Sequence, residues 1–417
     1  MPNQSSFPDL SIALLTYATK LRGSVVHTLE LATALTALGQ RVCVYALDKD
    51  GQGFERSIPA EVALVPAQSP PGGLSPDQAT DALIRQRIQE FVRYFQTSSA
   101  AHDIYHAQDC IGANALVQLR QLGRVPQVVR TVHHVEDYAS PYLQQCQEGS
   151  IRDPDLCLCV SDRWQQTLRR DYHIAAPRVV NGVDLKRFSP LPSGQESALK
   201  ARYGLTGWPL YLTVGGIEPR KNSIRLLEAF AQVLATYPQA QLVMAGGATL
   251  FDYQTYRDEF WALAKRLEAS SGLAVGSSLV LPGSIPDAEL PTLYRAADVF
   301  CFPSTREGWG LVVLEAIASG LPVVTANRPP FTEFLRPDQA SLVDPNSAED
   351  IARAMVAVVE PGLAQALNQR SAAVLEDYTW ERSARLHVEQ YQALLAKTAS
   401  ASLFPKSINV RGAMKID

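Results

Sequence analysis

The chain of 417 residues is long enough for two or three domains with sizeable cores, and 46% hydrophobic and 19% charged residues are ordinary for a globular protein. A formal net charge of −4 excludes strong bulk attraction to nucleic acid or anionic lipid, and we see neither a signal peptide at residues 1–10 nor an integral membrane segment. Because the six cysteines are scattered and form no paired C-x-x-C motifs, we expect buried thiols in a reducing, cytoplasmic compartment rather than a metal site or disulfide framework.

The first part of the sequence alternates strand and helix patterns. Apolar strand patterns lie at residues 10–16, 41–47, 104–106, 127–132, 156–160 and 178–180. Helical patterns fall between them at residues 25–38, 76–96 and 111–122. Repeated strand–helix units are typical of a largely parallel, doubly wound α/β sheet.

This alternation stops at residues 181–208 and then restarts. Further strand patterns lie at residues 210–214, 241–244, 278–281, 298–302 and 322–325, and helical patterns at 223–236, 258–270, 287–296 and 348–359. The predicted organisation is a first domain at 1–185, a linker at 186–208, a second domain at 209–379, a closing helix at 380–397 and a loose tail at 398–417. Two such domains in tandem bind a ligand between the facing carboxyl ends of their strands.

A glycine-bearing turn in the second domain carries the strongest functional signal. The turn Glu307-Gly-Trp-Gly310 follows a strand pattern and opens a helix that Gly320 and Pro322 end. The first N–H groups of such a helix lack partners and its dipole favours an anion. The turn therefore suits a phosphate group.

Two carboxylates, Glu307 and Glu315, bracket this turn, and helical spacing would separate them by about 12 Å. Because carboxylates repel phosphate, each is expected to accept hydrogen bonds from neutral hydroxyl groups on either side of it. A nucleoside diphosphate sugar has hydroxyls, phosphates and hydroxyls in that order. The alternative is an exposed helix with two solvated glutamates.

The segment resembles the donor-site signature of the family 4 retaining glycosyltransferases, which have the GT-B fold. The matching residues are Ser304, Glu307, Gly308, Gly310, Glu315, Ala316, Ala318, Gly320, Pro322 and Val323. The resemblance implies that Glu307 contacts hydroxyls of the donor sugar and that Glu315 holds the ribose hydroxyls. It also implies that backbone amides near Gly310, Leu311 and Val312 face the diphosphate. The implied fold has two Rossmann-like domains facing a central cleft, with the closing helix crossing back to the first domain.

Two cations, Arg220 and Lys221, precede a helix of the second domain. The macrodipole disfavours cations at a helix N-terminus, so we expect them to serve an outside anion such as a departing diphosphate. The family pattern here is close to G-R-x-x-x-x-K-[GN], which Gly215, Lys221 and Asn222 match. Gly216 stands where the family has its arginine. Arg220 is the candidate to replace that arginine.

The first domain supplies weaker candidates. Gly23 and Ser24 resemble the family's glycine loop, which lies against the diphosphate and the acceptor, whereas His27 lies inside the helix and is expected to pack or to be exposed. His133 and His134 follow a strand where the family has one histidine near the donor. Since adjacent residues of an extended chain point to opposite faces, only one can enter the cleft. His133 is favoured and His134 is the alternative.

Other segments match family loops. Residues 181–184 with Phe188 resemble a segment that tightens the exit towards the linker, with Asn181 near the acceptor as a lesser possibility. Gly246 and Gly247 resemble a cleft loop of the family, and Ile285 lies in a segment that resembles the family turn whose backbone meets the nucleobase.

Two further polar patterns carry less information. His106 and Asp109 end a strand of the first domain and either face the acceptor or form a polar loop. Asp153 and Asp155 have D-x-D spacing, but their loop precedes a strand, so this pattern does not require a metal ion.

The sequence therefore predicts a metal-independent retaining glycosyltransferase with no cofactor. The donor is a UDP-, GDP- or ADP-sugar, and the acceptor is a small molecule, a glycan or a lipid-linked molecule, with no nucleic-acid partner. The resemblance implies front-face substitution, in which the leaving diphosphate helps to deprotonate the acceptor hydroxyl. Closure of the two domains would exclude water.

Two alternatives stay open. One is a nucleotide-sugar epimerase of the same fold, and the other is a nonenzymatic nucleotide-sugar-binding scaffold, suggested by Gly216. A dinucleotide oxidoreductase is disfavoured because no G-x-G-x-x-G motif opens any strand–helix unit.

Overall fold

Two separate six-stranded sheets organise the computed structural model, which describes residues 9–70, 73, 76–247 and 253–403. The first sheet contains β1 (Ser11–Thr16), β2 (Arg41–Asp48), β3 (Glu61–Pro66), β4 (Ile104–Ala107), β5 (Val128–Val132) and β6 (Leu156–Cys159). The second contains β7 (Leu210–Val214), β8 (Gln241–Ala245), β9 (Leu279–Gly283), β10 (Val299–Phe302), β11 (Val323–Ala326) and β12 (Ser341–Val343). We call the segments that carry these sheets the first half and the second half.

Both sheets are parallel and have the same topology. The spatial order is β3-β2-β1-β4-β5-β6 in the first sheet and β12-β11-β10-β7-β8-β9 in the second. The order reverses between β1 and β4, and again between β7 and β10. At such a switch point the connections leave in opposite directions and open a crevice outside the carboxyl ends of the strands, where ligands bind. The predicted doubly wound α/β architecture is confirmed.

Helices connect the strands and cover the faces of both sheets. Those of the first half and its exit are α1 (Gly23–Ala37), α2 (Pro76–Thr97), α3 (Cys110–Gln121), α4 (Pro141–Arg152), α5 (Asp162–Asp171) and α6 (Glu196–Tyr203). Those that follow are α7 (Ser223–Val233), α8 (Gln254–Glu268), α9 (Leu290–Ala296), α10 (Leu311–Ala318), α11 (Phe331–Phe334), α12 (Ala348–Ala357), α13 (Pro361–Ser371) and α14 (Trp380–Leu403). Among the described helices, none combines the length and the apolar character needed to cross a membrane.

Continuous apolar runs form the central strands because both faces of each sheet are covered. In β10, Val299 and Cys301 enter one hydrophobic core, and Phe300 and Phe302 enter another. Because side chains alternate along a strand, the four residues of β10 contribute to two hydrophobic cores, one on each face of the sheet. This burial fixes the strand whose end carries the Glu307 turn.

The last described helix, α14, packs on the first half. Trp380, Val388 and Tyr391 are buried in one core with Leu29 of α1. A Cβ added at Gly182 would lie 2.2 Å from Trp380 N, so the chain leaving the first half passes the start of α14 with no room for a side chain. The predicted crossing of the C-terminal helix back to the first domain is confirmed.

Three predictions need correction. Residues 178–180 form no strand, because Arg178 pairs with Cys159 in a single bridge and Val179 is buried under the sheet instead. The linker at 186–208 contains α6, whose one buried residue, Leu199, gives no apolar stripe in the sequence. The loose tail is wrong at its start, since α14 continues to Leu403 and extending an existing helix needs no new nucleus. Residues 404–417 lie outside the described residues, and the domain boundaries stay a prediction.

Candidate active site

Two loops meet at the switch point of the second sheet because β7 and β10 are neighbours there. The loop after β7 brings Lys221 and Arg220, and the loop after β10 brings Glu307. The Glu307 carboxylate accepts hydrogen bonds from Lys221 Nζ at 2.6 Å, from Arg220 Nη1 at 3.2 Å to each oxygen, and from Ser304 Oγ at 2.8 Å. Residues distant in sequence thus form one ionic cluster, which we call the Glu307 cluster.

Charge compensation sets the protonation states in the Glu307 cluster. Burial acts to raise the pKa of Glu307, but the charges of Lys221 and Arg220 outweigh it and hold that pKa below its usual range. Burial dominates for Lys221 and lowers the pKa of its ammonium, in spite of the attraction to Glu307. Arg220 also pairs with the buried Glu218 at 2.9 Å. The two cations thus face two carboxylates.

Asn222 holds the two loops together. It adopts a left-handed conformation, with φ of 62°, and its side-chain Nδ2 donates to Pro303 O at 3.0 Å and to Pro345 O at 2.6 Å. Glycine and asparagine are the residues that visit this conformation most readily. This preference explains why either glycine or asparagine fits the position that follows Lys221.

The turn into α10 needs glycine at Gly310. Its φ is +98°, and an added Cβ would lie 2.7 Å from Phe331 Cε1. Gly310 is the N-cap, and Val313 N donates the first bond of the helix to Gly310 O at 3.0 Å. The amides of Leu311 and Val312 precede that bond, as an anion-binding helix start requires.

Glu315 lies buried in the second turn of α10. Tyr294 Oη donates to its carboxylate at 2.8 Å. Burial raises the pKa of Glu315 to about 7, and the nearby carboxyl of Glu30 adds to the rise. A small cleft between the two halves opens beside it, lined also by Glu30, Phe188 and Trp380. Glu315 is therefore poised near neutral pH as a hydrogen-bonding group at the cleft.

Of the two adjacent histidines, His133 points inward. Its Nε2 lies 3.0 Å from Gln108 Oε1, and its ring lies 4.6 Å from that of His27. His134 is exposed and contacts Glu136 at 2.9 Å. A Cβ added at Gly308 would lie 2.3 Å from His133 O, so the loop after β5 packs directly on the Glu307 turn. This close backbone contact explains why position 308 requires glycine.

His27 and His106 serve the packing of the first half. His27 Nδ1 bonds Asn181 Oδ1 at 2.8 Å, and both residues are buried. His106 is fully buried, with Nδ1 at 2.7 Å from Tyr391 Oη. Asp109 caps α3 by accepting from Gly112 N at 2.8 Å. These polar groups hold α1, α3 and α14 against the first sheet.

The remaining predicted donor residues lie at the start of α1 and just after β8 and β9. Gly23 is the first residue of α1, and a Cβ there would meet nothing within 4 Å, so packing does not demand glycine. The carbonyl of Ser24, next in α1, accepts from Thr28 Oγ1 at 2.7 Å. A Cβ at Gly246 would lie 2.3 Å from the Gly215 carbonyl, so the loops after β7 and β8 touch there. Ile285 is half-buried just after β9.

Two contacts to the Glu307 turn were missed by the sequence analysis. Trp164 of α5 is buried, and its Nε1 donates to Glu307 O at 3.2 Å. Arg306 Nη1 donates to Asp137 Oδ2 at 2.8 Å, and Arg306 also donates to Val135 O. The first half therefore holds the turn from both sides. Arg306 is next to Glu307 in the motif and could have been singled out, whereas α5 was not predicted at all.

We also looked for metal-ligating groups. Residues 9–70, 73, 76–247 and 253–403 contain no group of three or more histidine, cysteine, aspartate or glutamate side chains placed to hold a metal ion. Asp48 and Asp50 have D-x-D spacing at the end of β2, which the sequence analysis overlooked. Asp48 Oδ2 accepts from Gly53 N at 3.2 Å and thereby shapes its own turn.

Comparison with known proteins places both halves in one family. The family profile described as Glycosyl transferases group 1 matches residues 198–387, and the profile described as Glycosyltransferase Family 4 matches residues 21–187. O-antigen chain mannosyltransferase B of Escherichia coli is 28% identical over 287 residues, which cover 65% of this chain and 71% of the relative. D-inositol 3-phosphate glycosyltransferase of Kribbella flavida is 27% identical over 402 residues, covering 89% of this chain and 90% of the relative.

Solved structures share the fold. Sucrose-phosphate synthase from Thermosynechococcus elongatus has a TM-score of 0.74 at 22% identity, covering 93% of this chain and 100% of that one. The Anabaena protein HepE in complex with UDP-glucose has a TM-score of 0.70 at 19% identity, covering 94% of this chain and 100% of that one. With profiles matching both halves and a GT-B fold, the chain belongs to the family 4 glycosyltransferases and is a hexosyltransferase-type enzyme.

Proposed function

We propose that the protein is a retaining, metal-independent glycosyltransferase that moves a sugar from a nucleoside diphosphate sugar to an acceptor hydroxyl. The observation that carries the proposal is the Glu307 cluster, where a buried carboxylate three residues before the N-cap of α10 pairs with two cations from the loop after β7. This arrangement offers acceptors for sugar hydroxyls and donors for a diphosphate in one place. We retain residues 1–185 as the acceptor-side domain and 209–379 as the donor domain.

The proposed mechanism follows from the placement of charge. Negative charge gathers on the diphosphate as its bond to the sugar breaks, and fixed cations and amides stabilise it without reorganising. Lys221, Arg220 and the first amides of α10 supply these groups. Glu307 accepts hydrogen bonds from the donor sugar, and His133 borders the same space from the first half. The leaving diphosphate takes the acceptor proton on the face that it leaves, so the anomeric configuration is retained.

The donor and acceptor classes rest on the relatives. HepE was solved with UDP-glucose, and a Corynebacterium glutamicum relative is named as a GDP-mannose-dependent mannosyltransferase, which supports a nucleoside diphosphate sugar and leaves the base open. The acceptor is a small molecule, a glycan or a lipid-linked molecule. All six cysteines are free thiols, which supports the proposed cytoplasmic location.

A panel of UDP-, GDP- and ADP-sugars tests this function. The cognate donor should raise the melting temperature by mass action, and the transferred sugar should keep the donor's anomeric configuration by NMR. EDTA should leave turnover unchanged. Loss of activity in EDTA that magnesium or manganese restores would contradict the metal-independent mechanism. Epimerised donor formed without acceptor would favour the isomerase, and binding without turnover would favour the scaffold.

Glu315 should make nucleotide recognition depend on pH. Its ionised form is the better acceptor for ribose hydroxyls, and its pKa lies at about 7. We expect the dissociation-constant ratio of the 2′-deoxynucleoside diphosphate to the ribonucleotide to grow from pH 6 to 8, because phosphate titration cancels in that ratio. In Glu315→Gln the ratio should be small and flat, as calorimetric titration can measure. An equal pH dependence in both proteins would remove Glu315 from the ribose site.

The same group has a defined effect on stability without nucleotide. Since folding raises the pKa of Glu315 from 4.5 to about 7, its contribution is present below pH 4.5 and lost as the pH rises to about 7. Glu315→Gln removes this dependence. The variant should therefore gain stability relative to wild type as the pH rises through that window, by at most about 3 kcal/mol.

A further inference from the structure

Three arginines come together beside the Glu307 turn, and we call Arg163, Arg306 and Arg328 the arginine cluster. Arg163 belongs to the first turn of α5, Arg306 precedes Glu307, and Arg328 follows β11. Their contacts interlock. Arg163 Nη1 donates to Pro329 O at 3.3 Å, next to Arg328, and Arg328 Nη1 donates to Thr305 O at 3.4 Å, next to Arg306.

One indole ring anchors two of these guanidinium groups. The Cζ atom of Arg163 lies 5.2 Å from the centroid of the Trp164 ring, and that of Arg306 lies 6.0 Å from it. Trp164 is the residue that donates to Glu307 O. The arginine cluster is thus tied to the turn that carries the proposed sugar-binding carboxylate.

Two of the carboxylates near the arginine cluster are already engaged elsewhere. Among the described residues, the nearby carboxylates are Asp137, which pairs with Arg306, Glu136, which contacts His134 at 2.9 Å, and Glu333. Glu333 is already bound to the start of α5, where it accepts from Asp162 N at 2.7 Å and Arg163 N at 2.9 Å. Asp162 itself pairs with Arg178 at 3.1 Å. Three guanidinium groups therefore share three carboxylates, one of which caps a helix and another of which contacts a histidine.

The arginine cluster also has unused donor capacity. Arg306 Nε is buried and has no hydrogen-bond partner within the described part of the chain. The side chain of Arg306 as a whole is 29% exposed. Burial lowers the pKa of Arg163, and the charges of Arg306 and Arg328 lower it further. The fold thus holds three guanidinium groups close enough to repel one another. A bound anion would reduce this repulsion.

We propose that the arginine cluster binds a phosphate monoester carried by the acceptor. The proposal rests on the proposed function, because it assumes that a sugar acceptor binds beside the Glu307 turn. A phosphate monoester has a charge of about −1.5 to −2 and three acceptor oxygens, which match several guanidinium forks. The acceptor is accordingly a phosphorylated molecule whose free hydroxyl receives the sugar near Glu307.

The competing role of the arginine cluster is to tie the two halves together. The Arg306–Asp137 pair and the Arg163–Pro329 bond both cross between the halves. That role predicts lower stability in arginine variants but no phosphate binding outside the donor site. The test must therefore measure phosphate binding while a nucleoside diphosphate fills the donor site.

Calorimetric titration of inorganic phosphate into protein saturated with the cognate nucleoside diphosphate, at constant ionic strength, makes this measurement. Wild type should bind phosphate, and Arg163→Gln and Arg328→Gln should each weaken it about tenfold or more, since each removes a charge-assisted donor. Arg169→Gln is the matched control, because Arg169 is an exposed arginine of the same helix. It should bind phosphate like wild type.

Nucleoside diphosphate binding distinguishes failure of the phosphorylated-acceptor proposal from failure of the proposed function. A variant that still binds the nucleotide is folded, so its phosphate affinity is interpretable. Two outcomes overturn the phosphorylated-acceptor proposal and leave the proposed function standing. In one, wild type binds the nucleotide normally but binds no phosphate. In the other, nucleotide binding is normal and phosphate affinity is equal in wild type and both cluster variants. A wild-type protein that binds no nucleoside diphosphate overturns both.

Discussion

Lys221→Ala should weaken nucleoside diphosphate binding by about 2–5 kcal/mol and lower turnover with it, because it removes a charge-assisted partner from a buried anion site. Lys221 Nζ lies 2.6 Å from the Glu307 carboxylate. Its loss also leaves that carboxylate with Arg220 as its one cationic partner among the described residues. A repelling negative charge then faces the incoming diphosphate. Calorimetric titration with the cognate nucleoside diphosphate measures the loss.

A double variant separates these two contributions. If Lys221 acts only by neutralising Glu307, Lys221→Ala/Glu307→Gln should bind the nucleotide like wild type. If Lys221 contacts the diphosphate itself, as we propose, the double variant should stay weak. Arg220→Ala should be nearly as weak as Lys221→Ala, because Gly216 offers no charge at the family's arginine position. Wild-type affinity in Arg220→Ala would show that Arg220 does not compensate, and the scaffold alternative would gain support.

Glu307→Gln should lower turnover by about 10²–10³-fold, a typical loss for one electrostatic group in an active site. The amide keeps the shape and can still accept from Ser304, but Lys221 and Arg220 lose the buried carboxylate that pairs with them, so the free energy of unfolding should also fall. Nucleoside diphosphate affinity should hold or rise, since Lys221 and Arg220 lose a competing anion. Steady-state kinetics and calorimetry on one preparation give both quantities. Turnover equal to wild type would remove Glu307 from the chemistry.

The central strands and the Glu307 turn could be predicted because their signals are local. Strands such as β10 are apolar on both faces, so a short run identifies them without alternation. The donor turn combines a strand end, glycines and a helix start within consecutive residues. Gly310 illustrates the link, since its φ of +98° and the nearby Phe331 ring both demand glycine.

Elements at the edges of the sheets could not be predicted in this way. β3 is an edge strand with one buried residue, Val65, and β12 has three residues. In α5 only Trp164 and Leu168 are buried, so a polar sequence hides the helix. Because α5 was not predicted, its contacts with the Glu307 turn were not predicted either. Contacts such as Trp164 to Glu307 O join residues 143 apart in sequence, and no local pattern reports them.

The position of α14 has a consequence for how the protein is made. Trp380, Val388 and Tyr391 complete the core on one face of the first sheet, beside Leu29. A ribosome makes the other parts of this core more than 200 residues earlier, since β6, the last strand of that sheet, ends at Cys159. During that interval we expect the nascent first half to expose an apolar surface, whereas the second half can bury its own strands before α14 is complete. We therefore expect the newly made chain to be vulnerable to aggregation until α14 emerges.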